Sequence, residues 1–551
     1  LEKSVKNHRS NDSRIVNIVQ GPVRGHLDPE GGVFAFYDIP YATAPTGINR
    51  FKAPLAPPVW MGTFDAVNRF VVCPQPSNAP HMREDCLVAS VFTPDTNENN
   101  LSVLVVVHGG AYQYGFGNQL SMNSLVRSKK IIVVTFNYRL GAHGFLCLGT
   151  EGAPGNAGLK DQVALLRWVK TNIASFGGNP NDVTLLGCSA GGGSVDILTV
   201  SPATAGLFQK ASVESGAGIG AVGLQNNPLA NAQKYAKLLN YNNVEDLRGL
   251  EKFYTTISFQ DLYSRHEAIT NNIDSEVLFS PCIEQYDGEE KLLEDAPINI
   301  IKQGKYNKIP LLYGFANMEG LMRIGSFNSW KEKMNANFAD FLPAELHFES
   351  EEEASKVAQT VKEFYFGNQA VSEANVLVYI NYFTDVLFGY PMMKVLSDRV
   401  QSLNDTVYLY EYSFVDENSP SIPHTDERGA NHCDQSAALV DQDKSAITDE
   451  YRRMKTIMRE YWLNFITTGA PSVDLNAWPP ANANRDPYMS LGRTIELKNG
   501  LLGERVSFWD GIYEKYYRVP VPPRAPSGSP LILQSVGDND LKIFASVFSK
   551  V

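Results

Sequence analysis

The sequence lacks several features that would assign a protein class at once. It has six cysteines in 551 residues, scattered along the chain, with no C-x-x-C pair. A small disulfide scaffold is thereby excluded, and a zinc site is disfavoured because structural zinc sites use closely spaced cysteines. No apolar run approaches the roughly 18 residues that cross a bilayer. The first residues hold no apolar signal segment, and the last form neither an ER-retention tail nor an anchor tail.

Positive charge is also scarce. The chain has 48 Lys and Arg against 60 Asp and Glu, a net charge of −12. An acidic chain is poorly suited to bind nucleic acid or an anionic membrane surface, so we expect neither as a partner. With 43% hydrophobic and 20% charged residues, the composition is that of a globular protein. The oligomeric state stays open.

Short apolar runs alternate with helical stretches in the first half of the chain. Residues 101–110, 131–140 and 183–187 are apolar and rich in β-branched side chains, which predicts buried strands. Residues 159–178 carry apolar side chains at helical spacing and end in two glycines. Strands that are apolar along their whole length are covered on both faces, as in a mostly parallel sheet.

The second half is more helical. Residues 371–400 and 447–469 are long amphipathic segments, and residues 406–414 form a late strand. The sequence therefore predicts an α/β fold: a central, mostly parallel twisted sheet flanked by helices, with large helical insertions. We expect a single domain over residues 1–551.

The segment LLGCSAGGGS, residues 185–194, contains the pattern G-x-S-x-G around Ser189. This pattern can present a serine on a tight turn between a strand and a helix, with its hydroxyl exposed for attack. It also occurs as a glycine-rich turn without chemistry. The strand before it and a possible helix after it favour the first interpretation, because a helix N-terminus stabilises developing negative charge. Ser189 is the candidate nucleophile.

A serine hydroxyl needs a base to take its proton. Among nine histidines, His432 lies in a loop beyond the predicted strand 406–414, from which it can reach across the end of a sheet. A solvated loop histidine is the alternative interpretation. His108 precedes two glycines and is expected to shape that turn, whereas His143 could line a pocket.

The base needs a carboxylate to orient it. Glu319 follows the short apolar stretch IPLLYG, and the order Ser189, Glu319, His432 is the nucleophile–acid–histidine order of α/β-hydrolases. The alternative for Glu319 is a helix N-cap or a solvated charge.

The developing oxyanion needs hydrogen-bond donors. The segment HGGAY, residues 108–112, follows a buried strand, and glycines let backbone N–H groups approach a ligand closely. We expect the N–H groups of Gly110, Ala111 and Ala190 to form the oxyanion hole, each worth about 3 kcal/mol in the transition state. This chemistry needs no metal and no organic cofactor.

Six further segments carry a resemblance: IPYATAPTGINRFKAP (39–54), EDCLVASVFTP (84–94), NYRLGAHGFL (137–146), PGNAGLKDQVALLRWVKTNIASFGG (154–178), FGGNPNDVTLLGCSAG (176–191) and YWLNFITTGAPS (461–472). They resemble the carboxylesterase/cholinesterase family, and the pattern is most similar to secreted insect carboxylesterases. The resemblance spans roughly residues 16–509. It implies the α/β-hydrolase fold and assigns the same triad and the same oxyanion donors.

The resemblance also implies a disulfide between Cys73 and Cys86, and with it an oxidising compartment and a secreted protein. The family's other disulfides have no obvious cysteine pairs in this sequence. Sequons at Asn11, Asn100 and Asn404 are candidate glycosylation sites and weakly favour a secretory route.

Three departures from the family pattern bear on the substrate. Cys188 precedes the nucleophile where the family often has glutamate, and Cys433 follows the histidine where it usually has glycine. The loop between Cys73 and Cys86 has no tryptophan, the residue with which cholinesterases hold a quaternary ammonium by cation–π contact. These departures argue against choline esters and favour neutral esters.

The two cysteines beside the triad leave two interpretations open. Cys188 and Cys433 are either small buried residues or close enough to pair or to respond to oxidation, because sequence does not fix their separation. The aromatic residues Tyr112, Tyr114 and Phe116 are likewise either core residues or part of an apolar gorge.

The resemblance implies a serine carboxylesterase that hydrolyses neutral esters, such as odorant, pheromone, dietary or xenobiotic esters, through an acyl-enzyme. Organophosphates are then expected to react covalently with Ser189. A juvenile-hormone-type methyl ester hydrolase is an alternative, weakened because glutamine is typical of that group at the position of Cys188. A non-catalytic adhesion or binding domain on the same fold is an alternative of another class. The complete triad disfavours it.

Overall fold

The structure, a computed structural model, describes residues 12–76, 81–270, 272–403, 405–443 and 447–523. Two of the three sequons, at Asn11 and Asn404, lie outside the described residues. The third, Asn100, is exposed in a turn.

The strands of the described chain form one sheet. In chain order they are β1 (Ser13–Ile18), β2 (Gly21–Leu27), β3 (Val33–Pro40), β4 (Phe64–Asp65), β5 (Val88–Pro94), β6 (Leu101–Val107), β7 (Ile131–Phe136), β8 (Gly178–Cys188), β9 (Lys210–Glu214), β10 (Leu311–Ala316), β11 (Val407–Tyr412), β12 (Tyr488–Leu491) and β13 (Ile495–Lys498).

The spatial order is β1-β2-β3-β5-β7-β6-β8-β9-β10-β11-β12-β13, with β4 paired to β2. From β7 to β12 every neighbouring pair is parallel. The pairs of the main path at both margins are antiparallel, whereas β4 pairs with β2 in parallel. Parallel strands place their carboxyl ends at one edge of a sheet, where α/β proteins build their sites. The expectation of a mostly parallel centre is confirmed.

The α-helices are α1 (Asn123–Val126), α2 (Gly141–Phe145), α3 (Ala157–Asn172), α4 (Ala190–Val200), α5 (Pro228–Leu238), α6 (Leu247–Thr256), α7 (Phe259–Leu262), α8 (Glu267–Thr270), α9 (Pro297–Gln303), α10 (Phe327–Ala336), α11 (Glu351–Phe366), α12 (Val376–Thr384), α13 (Tyr390–Leu403), α14 (Asp434–Leu439), α15 (Asp449–Thr468) and α16 (Glu504–Tyr516). Among these described helices, none is both long and apolar enough to span a membrane.

The sheet is covered on both faces, as its apolar strands predict. Along β6, Val103, Val105 and Val107 pack into one core cluster, whereas Leu104 and Val106 pack into another on the opposite face. Because side chains alternate along a strand, a strand apolar at every position needs a core on each side.

A third core cluster lies in the helical insertion formed by α10 to α13 together with α16. It is rich in aromatic side chains, including Trp330, Phe341, Phe383 and Trp509. The long segment 371–400 is interrupted there by a π-helical turn, Asp385–Gly389, between α12 and α13. Pro391 has no N–H to donate to the carbonyl of Leu387, which permits this local break in the α-helical pattern.

All six cysteines are paired, as Cys73–Cys86, Cys147–Cys282 and Cys188–Cys433. The first pair agrees with the resemblance. The sequence showed no obvious further pair, and the structure adds one, because Cys147 and Cys282 meet across 135 residues of sequence. Such a pairing depends on the folded path of the chain and leaves no spacing signal in the sequence.

Candidate active site

Ser189 occupies the turn between β8 and α4. β8 ends at Cys188, α4 begins at Ala190, and Ser189 itself has φ 62° and ψ −128°. This left-handed φ is disfavoured for a residue with a side chain, so the surroundings must hold it. The Ser189 N–H donates to the Glu214 carbonyl at 3.0 Å, and its own carbonyl accepts from the Gly193 N–H at 2.9 Å.

Glycines around the turn allow three backbone segments to meet. A Cβ at Gly191 would collide with the carbonyl of Val107 at the end of β6. A Cβ at Gly109 would stand 3.1 Å from the Ser189 Cβ and closer still to the carbonyl of Cys188. The loop after β6 is therefore packed directly against the turn that carries Ser189.

His432 and Glu319 form a short contact. The imidazole Nδ1 of His432 lies 2.5 Å from Oε2 of Glu319, whose side chain is fully buried. Glu319 begins a 3₁₀ helix, Glu319–Ser326, directly after β10, and His432 lies in the loop between β11 and α14. Parallel pairing of β10 with β11 brings these two loops together at one edge of the sheet.

The second oxygen of Glu319 is also occupied. Its Oε1 accepts from the Ser215 hydroxyl at 2.5 Å and from the Ala316 N–H at 2.8 Å. The amide of Gln435 donates to Ser215 Oγ at 2.5 Å. These donors fix the carboxylate as an acceptor facing the imidazole.

The other ring nitrogen of His432 is left available. Its Nε2 is buried and has no hydrogen-bond partner among the described residues. Its ring stacks on Phe388, with centroids 4.4 Å apart and 17° between the planes. Phe388 also lines the cavity that Ser189 lines, so this one side chain contacts both that cavity and the imidazole, although His432 itself is not one of the lining residues.

That cavity is small, with free space of about 10 Å³, room for about one water molecule. Its wall beside Ser189 is made of small residues from the loop after β9 and closed by two larger side chains. These residues are Gly216, Ala217, Gly220, Val222, Gly223, Leu387 and Phe388. Asp196 of α4 holds this loop, because its Oδ2 accepts from the Gly218 N–H at 2.7 Å.

The expected oxyanion donors lie beside Ser189. Gly110 has φ 115° and Ala111 has φ 52°, which turns the loop after β6 back on itself. In the described part of the chain, neither N–H donates a hydrogen bond within the protein. Ala190 is the first residue of α4, where a backbone N–H has no partner inside the helix.

The two other histidines considered, His108 and His143, are buried and do not line the cavity beside Ser189. His108 is buried, stacks on Tyr138 at 4.3 Å, and burial lowers its pKa to about 4. It shapes the turn, as expected. His143 does not line the cavity beside Ser189. Its Nδ1 lies 3.1 Å from the Tyr263 hydroxyl, and burial lowers its pKa although Glu84 acts against this.

The structure answers part of the open question about the aromatic residues that follow the oxyanion loop. Tyr112 is fully buried and packs against Phe145 at 4.8 Å, so it is a core residue. The aromatic side chain that lines the cavity beside Ser189 is Phe388.

A buried carboxyl lies behind the site. Glu214, at the end of β9, accepts hydrogen bonds from Trp462 Nε1 at 2.9 Å, from Ser212 at 3.3 Å and from Ser436. Burial raises its pKa to about 7, and these three donors act against the shift. The same residue's carbonyl holds Ser189 in place.

The open question about Cys188 and Cys433 is answered by the fold. They form a disulfide, with their Cα atoms 6.2 Å apart, between the residue before Ser189 and the residue after His432. Within the described ranges, no group of three or more His, Cys, Asp or Glu side chains could hold a metal ion.

Sequence reasoning missed Phe388, Ser215 and Gln435. Phe388 belongs to an apolar helical stretch in which nothing distinguishes a cavity residue from a core residue. Ser215 could have been found, because it begins the small-residue run SGAG, which is typical of a tight loop. Gln435 is the third residue after His432, and its contact with Ser215 depends on the packing of α14.

The sequence model of the family described as "Carboxylesterase family" matches residues 12–509. The chain is similar to para-nitrobenzyl esterase of Bacillus subtilis, with 32% identity over 509 residues, 88% of this chain and 96% of the relative. It is similar to esterase FE4 of Myzus persicae, with 32% identity over 483 residues, 82% of this chain and 83% of the relative.

The fold is also similar to a solved structure, juvenile hormone esterase from Manduca sexta with OTFP covalently attached. The TM-score is 0.80 at 29% identity, and the match covers 91% of this chain and all of that one.

Proposed function

The chain belongs to the carboxylesterase family and is a carboxylic ester hydrolase, and from that premise we propose that Ser189, His432 and Glu319 carry out its reaction. The observation that carries this proposal is the 2.5 Å contact between His432 Nδ1 and Glu319 Oε2, with the opposite nitrogen buried and unpartnered in the described structure. An imidazole that donates from Nδ1 keeps a lone pair on Nε2, which is the group that this mechanism needs to take the Ser189 proton.

In the proposed reaction, the Ser189 hydroxyl attacks the ester carbonyl carbon while Nε2 of His432 takes its proton. The carbonyl oxygen becomes an oxyanion that accepts from the N–H groups of Gly110, Ala111 and Ala190. The imidazolium then protonates the alcohol oxygen, the C–O bond breaks, and an acyl-enzyme remains. Water repeats the sequence and releases the acid. Glu319 orients the imidazole and stabilises its charged form.

The lining of the cavity limits the substrate. The cavity next to Ser189 is walled by glycine and alanine and closed by Leu387 and Phe388, a lining that favours a small substituent on one side of the ester. We propose neutral esters in which one side of the ester bond is as small as acetyl or methyl. Acetate esters of the odorant or pheromone type, as well as small dietary or xenobiotic esters, satisfy this condition.

Methyl esters of large acids satisfy the same condition, because their alcohol part is small instead of their acyl part. The similar Manduca sexta protein is a juvenile hormone esterase, so a juvenile-hormone-type methyl ester hydrolase is the second candidate. Rates on acetates of long alcohols and on methyl esters of long acids distinguish the two. A preference for acetates supports the first candidate, and a preference for methyl esters supports the second.

The protein is proposed to be secreted, to form a single catalytic domain and to carry glycan at Asn100. Three disulfides favour an oxidising compartment, and Asn100 is exposed. A mass shift on glycosidase treatment of protein from a secretory host tests the glycan.

The alternative of a non-catalytic adhesion or binding domain predicts no hydrolysis of any ester.

The test of the catalytic roles is the Ser189→Ala variant on p-nitrophenyl acetate. Loss of the nucleophile lowers kcat by roughly 10⁴-fold or more. Ser194→Ala is the matched control, since Ser194 lies one turn further along α4 and its hydroxyl contacts Gln162 at 3.2 Å. Wild-type rates in the Ser189→Ala variant would overturn the proposal.

A further inference from the structure

One disulfide joins the sequence neighbours of the two reacting residues of the proposed mechanism. Cys188 is bonded to Cys433, which joins the residue before Ser189 to the residue after His432 across 245 residues of sequence. The Cys73–Cys86 and Cys147–Cys282 bonds flank neither. A covalent link at this place constrains the two groups between which a proton must pass.

An unfavourable backbone conformation lies at or next to each end of this link: Ser189 follows Cys188, and Cys433 is itself the other end. Ser189 has φ 62° and Cys433 has φ 63°, and neither is glycine. Residues with side chains hold a left-handed conformation only when their surroundings enforce it. The conformation of Ser189 is held by two backbone hydrogen bonds, one with Glu214 and one with Gly193. The carbonyl of Cys433 accepts from the Ala437 N–H at 3.0 Å, which caps α14 but gives no contact with the nucleophile turn.

Hydrogen bonds attach the histidine loop chiefly to the acid side of the site. The Met318 N–H donates to the Ala430 carbonyl at 3.1 Å, and the Ala430 N–H donates to the Asn317 side chain at 3.0 Å. The His432 N–H bonds only locally, to the Asn431 side chain. The loop is therefore well fixed to Glu319.

Its attachment to the nucleophile turn is different. Among the described residues, no backbone hydrogen bond joins 188–189 to 430–434. Gln435 approaches Cys188 Sγ only at 3.8 Å, and its strong bond goes to Ser215. Among the described residues, the disulfide is the covalent connection between the two loops, beside the weak contact of Gln435 with Cys188.

We propose that the Cys188–Cys433 disulfide is a positioning element of ester hydrolysis, which holds the His432 imidazole at reacting distance from the Ser189 hydroxyl. This inference rests on the proposed roles of Ser189 and His432. Loss of the disulfide lets the two loops shift apart. A displacement of about 1 Å between reacting groups lowers the rate roughly 100-fold. Substrate binding depends on the cavity walls and is retained, so the loss falls on kcat.

The same bond makes the activity sensitive to thiols. A dithiol supplies two electrons and two protons to the S–S bond, which leaves Cys188 and Cys433 as thiols and the reagent as its cyclic disulfide. Reoxidation reverses the step and restores the rate. Esterase activity therefore falls on reduction of this bond and returns on its reformation.

The test compares two double variants, Cys188→Ser with Cys433→Ser and, as the matched control, Cys147→Ser with Cys282→Ser. For the first we expect kcat on p-nitrophenyl acetate to fall about 100-fold with KM within about threefold of wild type. The control keeps wild-type kcat per folded molecule, counted by near-UV circular dichroism. A kcat within twofold of wild type in the first variant, or an equal loss in both, overturns the inference.

A second measurement covers the case in which the first variant does not fold. Folded wild-type protein is reduced with graded dithiol, and the state of each disulfide is followed by peptide mass mapping. Activity is expected to follow the Cys188–Cys433 bond alone and to return on reoxidation, and full activity after its reduction overturns the inference. Covalent labelling of wild-type Ser189 by an organophosphate is scored in parallel, because failure there contradicts the proposed function rather than the role of the disulfide.

Discussion

The imidazole of His432 lies face to face with the ring of Phe388, with centroids 4.4 Å apart and 17° between the planes. Phe388 is presented by the π-helical turn between α12 and α13 and closes the cavity beside Ser189. One side chain thus supports the proposed base and limits the space for substrate.

We expect Phe388→Ala to change the preference for chain length. Removing the ring enlarges the cavity, and each accommodated methylene is worth about 1–3 kcal/mol, so the preference for butyrate over acetate esters rises by roughly tenfold or more. Values of kcat/KM for a series of p-nitrophenyl esters measure this shift. Phe364→Ala is the control, because Phe364 stacks on Phe508 in the helical insertion. An unchanged profile in Phe388→Ala would contradict the assignment of the cavity.

A second prediction concerns the pH dependence of stability. Burial raises the pKa of Glu214 to about 7, so folding favours its protonated form. Below about pH 4.5 the carboxyl is protonated in both the folded and the unfolded protein, so it does not lower the free energy of unfolding. Between about pH 4.5 and 7 the carboxyl ionises in the unfolded chain while burial keeps it protonated in the folded protein, so the folded protein loses stability on the order of 3 kcal/mol over this window and little more above it.

Glu214→Gln removes this group while keeping an oxygen acceptor for Trp462. The variant should resemble wild type in urea unfolding near pH 4.5 and become progressively more stable than wild type up to about pH 7. Only the difference between the two proteins is diagnostic, because burial raises the pKa of Glu345 to about 7 as well. A difference that does not vary with pH would refute the prediction.

A third prediction concerns a buried ion pair. Arg139 contacts Asp161 through Nε at 2.8 Å and Nη2 at 2.7 Å, and both side chains are buried. Asp161→Asn leaves an unpaired guanidinium inside the protein, which costs about 3–5 kcal/mol. The exposed pair of Arg167 and Glu290 is the control, and Glu290→Gln should change stability by about 1 kcal/mol or less. Equal urea midpoints for the two variants would contradict this account.

Much of the fold could be predicted from local pattern. Continuous apolar runs indicated the buried strands because the parallel centre of the sheet needs apolar side chains on both faces. The segment 371–400 was predicted as helical, but its π-helical turn was not, because the effect of Pro391 depends on how α12 and α13 pack. The strand 131–140 ends at Phe136, four residues early, and the next element, α2, begins at Gly141.

The candidate site likewise contains residues that the sequence identified and residues that depend on tertiary packing. Ser189, Glu319 and His432 lie in recognisable strand–loop contexts. The structure brings Glu319 and His432 into contact and places Ser189 at the cavity that Phe388 lines, and the catalytic role of the three together stays a prediction. The pairing of Cys188 with Cys433 stayed open because no sequence spacing gives a Cα separation. Phe388 was missed because its position on the ring of His432 is a product of tertiary packing alone.

The central claim is that Ser189 is the nucleophile of this esterase. It is tested most directly by incubating the protein with diethyl p-nitrophenyl phosphate and mapping the adduct by peptide mass spectrometry. The account predicts one diethylphosphoryl group per protein on Ser189, one equivalent of p-nitrophenol released, and complete loss of esterase activity. An adduct on another residue that abolishes activity, or equal labelling of the Ser189→Ala variant, would contradict it.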